Sequence, residues 1–276
     1  MKIAVFSKSF QDRSIAEVCQ IYRRLGVDGL DLTVRPGGHI DPKDVAKKLP
    51  EAVNAAHQED QEVLMLTTGI TDADADADRI LATAAEYGIN RIKMGYYRYT
   101  GFGSLQAQMD KVRKRIAGVA RLAAKHGVLP CIHIHSDAFI PSHGTMLADL
   151  LRDISPKEVG AYVDMLHTVK EGGGDGWRQG VDLLASRIGL VSVKNFYWEK
   201  SHRDRAGQQR WRTRVCPLAE GISPIADFLT VLKKTGYDGV YSLHSEYKGR
   251  HSFKDLDTDG CIKQTAEDLA FFKSLA

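Results

Sequence analysis

Four apolar stretches of the sequence end in residues that can perform chemistry. The clearest begins at Val159 and ends at Asp164, with His167 three residues further on. Three others have the same form: Ile132-His-Ile-His135, Val191-Ser-Val-Lys194 and Ser242-Leu-His-Ser-Glu246. A carboxylate or an imidazole at the end of a buried strand is costly to leave without a partner. We therefore expect the four strand ends to meet in one polar site.

Alternate residues of a strand share one face, so each of these later stretches directs two polar side chains the same way. The pairs are His133 with His135, Ser192 with Lys194, and His244 with Glu246. Carboxylates and an imidazole from different strands are suitable ligands for Mn²⁺, Mg²⁺ or Zn²⁺. We predict a site for such a divalent ion, with Asp164 and Glu246 as carboxylate ligands and His135 as the nitrogen ligand.

The segments that must position these side chains alternate between strands and amphipathic helices. Strands are predicted at Lys2–Phe6, Gly29–Thr33, Glu62–Thr67, Arg91–Met94, Val128–His135, Glu158–Asp164, Ile188–Lys194 and Gly239–His244. Helices are predicted at Ser14–Leu25, Pro42–His57, Asp74–Tyr87, Ser104–His126, Met146–Arg152, Trp177–Ser186, Pro224–Thr235 and Thr258–Ser274. Eight strands, each followed by a helix, predict an α/β protein with a (β/α)8 TIM barrel. Because no linker divides the chain, we expect residues 1–276 to form a single domain.

The connections between helices and strands differ at the two ends of this barrel. Gly26, Gly88, Gly127 and Gly236 each follow a helical segment, and we expect each to end its helix in the left-handed conformation. The connections after the strands are longer and are predicted to be irregular: 95–103, 136–145, 168–176 and 195–221. In a TIM barrel such loops surround the carboxyl end of the strands, where active sites lie.

Composition limits the partners and the compartment. A chain of 276 residues with 43% hydrophobic and 26% charged residues is typical of a globular protein with a large core. A formal net charge of +3 does not favour a nucleic-acid or membrane partner. Four cysteines without a Cys-x-x-Cys pair indicate a reducing compartment, and the apolar run Ile3–Phe6 is too short for a signal peptide. We predict a cytoplasmic protein and leave a homo-oligomer open.

Asp164-Met-Leu-His167 resembles the Asp-x-x-His that ends a strand in the xylose-isomerase-like sugar isomerases and epimerases, the group that contains D-tagatose 3-epimerase. Three further stretches are similar to sugar phosphate isomerase/epimerase-like proteins: Lys194-Asn-Phe-Tyr-Trp198, Pro217-Leu-Ala-Glu-Gly221 and Ser242-Leu-His-Ser-Glu-Tyr247. The resemblance covers nearly the whole chain and implies a TIM barrel with a divalent metal. It implies that Asp164 and Glu246 bind the metal and that His167 binds the substrate.

Two positions depart from the family pattern. The fifth strand ends in His133-Ile-His135, where the family has its first catalytic Glu. On the seventh strand, Ser192 or Lys194 stands near the position of the family's metal-binding His. The sequence therefore does not supply the complete four-ligand set of the family.

Such a site would support enolisation of a ketose. A metal ion chelated by a carbonyl and an adjacent hydroxyl stabilises the enediolate. Glu246 would remove the α-proton, and His135 would transfer a proton on another side. Lys194 would stabilise the developing oxyanion or bind a substrate carboxylate as a point charge. We expect four other residues to contact the carbohydrate: His133, His167, His244 and Trp198.

The segment after the seventh strand is rich in basic and aromatic residues. They are Trp198, Lys200, Arg203, Arg205, Arg210, Trp211, Arg212 and Arg214. The segment is interpreted as a solvated flap, as a lid over a sugar with an acidic or phosphorylated group, or as a DNA contact. DNA repair is disfavoured because the second and third strands do not end in the His and Glu ligands of a multi-metal cluster.

Three functions remain open from the sequence. The leading hypothesis is a divalent-metal-dependent isomerase or epimerase of a ketose or related sugar. A keto-sugar or sugar-acid lyase or dehydratase would use the same enediolate and expel a substituent. The third hypothesis is a sugar-binding barrel without catalytic activity.

Overall fold

The computed structural model describes residues 1–275. Its strands are β1 (Lys2–Phe6), β2 (Gly29–Val34), β3 (Glu62–Thr68), β4 (Arg91–Lys93), β5 (Tyr97–Arg98), β6 (Leu129–His133), β7 (Phe139–Ile140), β8 (Gly160–Asp164), β9 (Ile188–Val193), β10 (Asn195–Arg203), β11 (Gln209–Cys216) and β12 (Val240–Leu243). Its α-helices are α1 (Ile15–Leu25), α2 (Val45–Gln58), α3 (Ala75–Glu86), α4 (Leu105–His126), α5 (Gly144–Leu150), α6 (Met165–Leu184), α7 (Ile225–Lys234) and α8 (Thr258–Leu275).

Eight of the strands close into one barrel, in the order β1-β2-β3-β4-β6-β8-β9-β12. All neighbouring strands in the barrel are parallel. The predicted TIM barrel is therefore confirmed. In residues 1–275, no helix has the length and apolar character needed to cross a membrane.

Local sequence explains the ends of the helices. Ser14 and Glu17 form a capping box at the start of α1, and Gly26 ends that helix with φ 71°. Gly88, Gly127 and Gly236 have φ 72°, 66° and 77°. The predicted left-handed conformation is thus found at all four glycines, and each short turn leads directly into the next strand.

The prediction of an irregular segment at 195–221 was wrong for most of its length. β10 and β11 pair there as an antiparallel hairpin. Glu199 directly opposes Arg212, forms a salt bridge with it, and accepts a hydrogen bond from Arg214 at 2.9 Å. Such opposite-charge pairs across two strands stabilise a hairpin, and the basic residues of this segment had not been interpreted as a strand.

The other predicted loops are also partly regular. Segment 168–176 lies within α6, which is irregular at Gly173 and Gly174. β5 and β7, from segments 95–103 and 136–145, pair with each other as a small antiparallel sheet. The carboxyl end of the barrel is therefore bordered by ordered segments as well as by loops.

Helices α5 and α6 approach each other at two glycines. A Cβ atom placed on Gly144 would lie 2.7 Å from the Cα of Gly180, which is closer than carbon atoms approach. The carboxylate of Asp164 accepts a hydrogen bond in the first turn of α6. The close packing of α5 on α6 therefore helps to fix the position of one predicted site residue.

Gly144→Ala should destabilise the protein by about 1–3 kcal/mol, because α5 must move away from α6 to accommodate the methyl group. Gly118→Ala on α4 is the matched control, since its Cβ would meet Ala73 at an ordinary 3.8 Å. The control should gain about 0.5–1 kcal/mol from helix propensity. Urea unfolding measures both changes, and equal stability of the Gly144→Ala and wild-type proteins would contradict the packing argument.

Candidate active site

A cavity of about 130 Å³ opens at the carboxyl end of the barrel strands. At about 30 Å³ per water molecule, it is a site for a small molecule. Five of the residues predicted from the sequence line it: His133, His135, Lys194, His244 and Glu246. Asp164 and His167 adjoin the cavity through their contacts with Lys194. The structure therefore brings seven of the predicted residues together.

Asp164 ends β8 and is fully buried. Its Oδ1 accepts a hydrogen bond from the backbone N–H of His167 at 2.9 Å. Its Oδ2 lies 3.0 Å from Nε2 of His133 and 3.2 Å from Nζ of Lys194. Burial acts to raise the pKa of Asp164, but Lys194 and the neighbouring histidines hold that pKa well below its usual value. Asp164 is therefore an ionised carboxylate inside the protein.

Lys194 lies at the centre of the cluster and is 4% exposed. Its Nζ lies 3.0 Å from Nε2 of His167 and 3.2 Å from Oε2 of Glu246, in addition to its contact with Asp164. Burial acts to lower the pKa of Lys194, but Asp164 and Glu246 raise it above the ordinary value. Lys194 is therefore a protonated ammonium that points into the mouth beside Glu246.

Glu246 follows β12 and is shared between two lysines. Its Oε1 accepts a hydrogen bond from Lys8 at 2.5 Å, and its Oε2 accepts one from Lys194. Burial again opposes ionisation, but Lys194 and, more weakly, Lys8 hold the pKa of Glu246 well below its usual value. Asp164 and Glu246 are thus both charged at neutral pH.

His133 connects Asp164 to Tyr96. Its Nδ1 lies 3.1 Å from the Tyr96 hydroxyl, and its Nε2 faces the carboxylate of Asp164. A carboxylate can only accept, so Nε2 carries the proton and the hydroxyl donates to Nδ1. Burial lowers the pKa of His133 to about 3 in spite of Asp164. His133 is therefore neutral, and both of its ring nitrogens are used in positioning Asp164 and Tyr96.

Both ring nitrogens of His167 form hydrogen bonds, whereas only one ring nitrogen of His135 does. The ammonium of Lys194 can only donate, so Nε2 of His167 accepts and its Nδ1 donates to Ser136 Oγ at 2.8 Å. Nδ1 of His135 donates to the backbone carbonyl of Ser136 at 3.0 Å, which leaves a lone pair on Nε2. Burial, followed by Lys194, lowers the pKa of His135 to about 4. His135 is a neutral imidazole with a nitrogen available as a base.

His244 forms another part of the cavity wall. Its Nε2 lies 3.0 Å from the hydroxyl of Tyr162, and its ring stacks on Phe6 with centroids 4.4 Å apart. Its Nδ1 lies 3.7 Å from Oε2 of Glu246. His244 is therefore fixed on both sides and presents one ring nitrogen towards the carboxylate.

Trp198 lies apart from the other predicted residues. It belongs to β10, is 44% exposed and is not in the wall of the cavity. Nζ of Lys170 lies 5.7 Å from the centroid of its ring. The hairpin holds this side chain outside the cavity. Contact between Trp198 and a sugar ring stays a prediction.

Seven residues of the cavity wall were missed by the sequence analysis: Phe6, Lys8, Arg35, Thr67, Lys93, Tyr96 and Tyr162. The signal for Lys93 was a charged residue at the end of a strand, β4, and Arg35 directly follows β2. Leu32-Thr-Val34 ends β2 without a metal ligand, so no pattern marked the guanidinium of Arg35 that follows it. The contact between Lys8 and Glu246 joins residues 238 positions apart, which spacing along the chain does not indicate.

The cluster does not fit a divalent metal ion as it is arranged. Nζ of Lys194 lies within 3.2 Å of both carboxylates that were predicted as ligands, Asp164 and Glu246. A metal ion between them would meet a fixed positive charge. Of the three predicted ligands, His135 alone keeps a free lone pair, on Nε2. Throughout residues 1–275, no group of three or more His, Cys, Asp or Glu side chains is arranged to hold a metal ion.

The family model of the xylose isomerase-like TIM barrel matches residues 19–275. The chain belongs to the xylose isomerase-like TIM barrel family. The resemblance proposed from the strand-end motifs is thereby confirmed for this family. A sequence search of curated proteins gave no match.

Several solved structures share the fold of the chain. A D-allulose 3-epimerase from Methylomonas sp. is 16% identical, with a TM-score of 0.75 over 100% of this chain and 98% of the other. A 3-keto-D-glucoside 4-epimerase from E. coli is 17% identical, with a TM-score of 0.72 over 99% of both chains. A xylose isomerase-like TIM barrel protein from Mycobacterium smegmatis, solved in complex with magnesium, is 15% identical, with a TM-score of 0.69 over 99% and 97%. At these identities the likeness establishes the fold.

The neutral, buried His133 should make stability depend on pH. Its pKa is about 3 in the folded protein and about 6.5 in an unfolded chain, so the unfolded chain alone binds this proton between those values. Stability should therefore fall as the pH drops below about 6.5, by up to about 1.4 kcal/mol per pH unit for one proton. The ionised carboxylates act in the same direction at lower pH.

His133→Gln should make this dependence less steep between about pH 6.5 and pH 4.5, because one proton fewer is taken up on unfolding. His57→Gln, at an exposed position on α2, is the control and should leave the slope unchanged. Urea unfolding at a series of pH values measures the slope. An unchanged slope in His133→Gln would show that His133 is not held neutral by the fold.

Proposed function

We propose that the chain is a sugar isomerase or epimerase that forms an enediolate from a ketose in the cavity at the barrel mouth. The observation that carries the proposal is the ammonium of Lys194 between two ionised carboxylates, beside the free imidazole nitrogen of His135. Enolisation of a carbonyl compound requires a stabilised oxyanion and a base within reach of the α-proton. The epimerases of D-allulose and of a 3-keto-D-glucoside that share the fold support the same class of reaction.

In this proposal the substrate carbonyl oxygen replaces Oε2 of Glu246 on the ammonium of Lys194. Oε1 of Glu246 keeps its hydrogen bond to Lys8, so the carboxylate stays near the substrate with one oxygen released. Glu246 or Nε2 of His135 then takes the α-proton. The electrons of the C–H bond form the carbon–carbon double bond, and the carbonyl π electrons move to the oxygen that Lys194 stabilises.

The return of the proton determines the product. Return to the opposite face of the same carbon gives the epimer. Return to the former carbonyl carbon gives the isomer, with the proton of the adjacent hydroxyl moving to the former carbonyl oxygen as that hydroxyl becomes the new carbonyl. Glu246 and His135 follow β12 and β6, which β8 and β9 separate in the barrel. The two bases therefore approach the substrate from different sides, which suits removal by one base and return by the other.

The remaining residues of the cluster hold these groups in place. Asp164 keeps Lys194 protonated, and His133 donates to Asp164 while it accepts from Tyr96. His167 accepts from Lys194 and is itself held by Ser136. Each of these residues acts on the substrate through Lys194 or through the shape of the cavity.

The same geometry leads to a proposal about the cofactor. The family resemblance implied a divalent ion, and a magnesium complex exists for the Mycobacterium smegmatis protein. In this chain, Lys194 stands between the two carboxylates that would bind such an ion. In our proposal the ammonium supplies the positive charge at the reacting oxygen, and the reaction of this chain does not depend on added metal.

Lys194→Met should reduce the rate of α-proton exchange by about a hundredfold or more. Loss of one oxyanion donor costs about 2.7–4 kcal/mol of transition-state stabilisation. The measurement is deuterium incorporation from D₂O by NMR, across a panel of ketoses and keto acids, with folding checked by circular dichroism. Lys125→Met on the outer face of α4 is the control. Undiminished exchange in Lys194→Met, or no exchange by wild type with any member of the panel, would refute the mechanism.

The metal content of the wild-type and Lys194→His proteins tests the role of the ammonium, and this test needs no substrate. Wild type purified without chelator should contain well under one divalent ion per chain, and EDTA should not change its exchange rate. Lys194→His should gain Mn²⁺ binding, because a neutral ligand then replaces the ammonium between Asp164 and Glu246. Elemental analysis and calorimetry measure both. One ion per wild-type chain, lost in Asp164→Ala, would overturn the proposal.

A further inference from the structure

Two basic side chains at the cavity lack an anionic partner among residues 1–275. Lys93, on β4, is 2% exposed, and its Nζ has no hydrogen-bond partner. This Nζ lies 3.4 Å from the centroid of the Tyr96 ring. The guanidinium of Arg35 lies 5.8 Å from the centroid of Phe6. Both charges are thus held at the cavity against aromatic rings instead of carboxylates.

The carboxylates nearby are already engaged by other groups. Asp31, on β2, accepts hydrogen bonds from the hydroxyls of Thr67 and Ser242, each at 2.7 Å. Glu246 is shared between two lysines. Neither carboxylate lies within ion-pairing distance of Lys93, so its buried amino group has no anionic partner of its own.

The wall of the cavity therefore has an excess of positive charge. Its basic side chains are Lys8, Arg35, Lys93 and Lys194, and its one carboxylate is Glu246. Burial, and then the charge of Arg35, hold the pKa of Lys93 well below its ordinary value. Burial therefore disfavours the charged form of Lys93, and an anion bound in the cavity would favour it.

We propose that Lys93 and Arg35 bind an anionic group of the substrate, a carboxylate or a phosphate, at the end remote from the reacting carbon. A guanidinium offers a planar fork of donors to such a group, and an ammonium adds a point charge. The inference rests on the proposed function and narrows its substrate to an acidic or a phosphorylated sugar.

The position of the two residues suits a substituent that extends outward. Lys93, Arg35 and Tyr96 also line a second cavity of about 420 Å³, to which Arg98 of β5 contributes. The two basic residues therefore stand where the reacting cavity meets an outer groove. A substrate bound there places its carbonyl at Lys194 and its anionic group between Lys93 and Arg35.

Binding of small anions tests this site without knowledge of the full substrate. The probes are inorganic phosphate and glycerate, with glycerol as the neutral counterpart, each titrated calorimetrically into the full-length protein. Wild type should bind at least one of the two anions and should not bind glycerol at the same concentrations. Binding of phosphate alone identifies a phosphorylated substrate, and binding of glycerate alone identifies an acidic one. Absence of binding by both anions would overturn the inference.

Variants then assign the binding to these residues. Lys93→Met and Arg35→Gln should each weaken anion binding by about tenfold or more, since each removes a charge-assisted contact. Lys111→Met, at an exposed position on α4, is the control for a change of charge. Without anion, Lys93→Met should be at least as heat-stable as wild type, because it removes a buried amino group that has no hydrogen-bond partner. Wild-type anion affinity in both cavity variants would reject the site.

The outcome can be separated from that of the proposed function. Anion binding at Lys93 and Arg35 together with no deuterium exchange in any ketose would refute the isomerase and leave the anion site established. Exchange in a neutral ketose that is faster than in its phosphate and in its sugar acid would refute the anion site and leave the isomerase established.

Discussion

A lysine ammonium buried beneath the mouth of the barrel determines how the residues around it must be arranged. Removing this charge from water is unfavourable unless opposite charges surround it, and the carboxylates of Asp164 and Glu246 do so at 3.2 Å. The carboxylates in turn need donors, which His133 and Lys8 provide. Because the loss of any member leaves another charge uncompensated, these groups are expected to act as one unit.

The barrel makes this arrangement possible because the carboxyl ends of its parallel strands meet around a common axis. Lys194 follows β9, Glu246 follows β12, and Asp164 ends β8, so neighbouring strands supply the central charges. Asp164 also caps the first turn of α6, which couples its position to the packing of that helix. Residues such as His135 that follow a strand directly can thus be held rigidly while they still line the cavity.

The sequence predicts the barrel and the identity of the strand ends well, because both depend on local patterns. Hydrophobic periodicity and the glycines after the helices are read over a few residues. The contacts between strands are not local: nothing in the spacing shows that Nζ of Lys194 occupies the place expected for a metal ion. The hairpin around Trp198 was missed because its alternating residues are charged and exposed, and Lys93 was missed because it carries no family motif.

The central claim is that the positive charge of this site belongs to the protein itself. Its most direct test is a crystal structure of the protein soaked in Mn²⁺, with anomalous data collected near the manganese edge. We expect Nζ of Lys194 within about 3.2 Å of Asp164 and Glu246, with no anomalous peak between these carboxylates. An anomalous peak bound by both carboxylates, with Lys194 displaced, would contradict it.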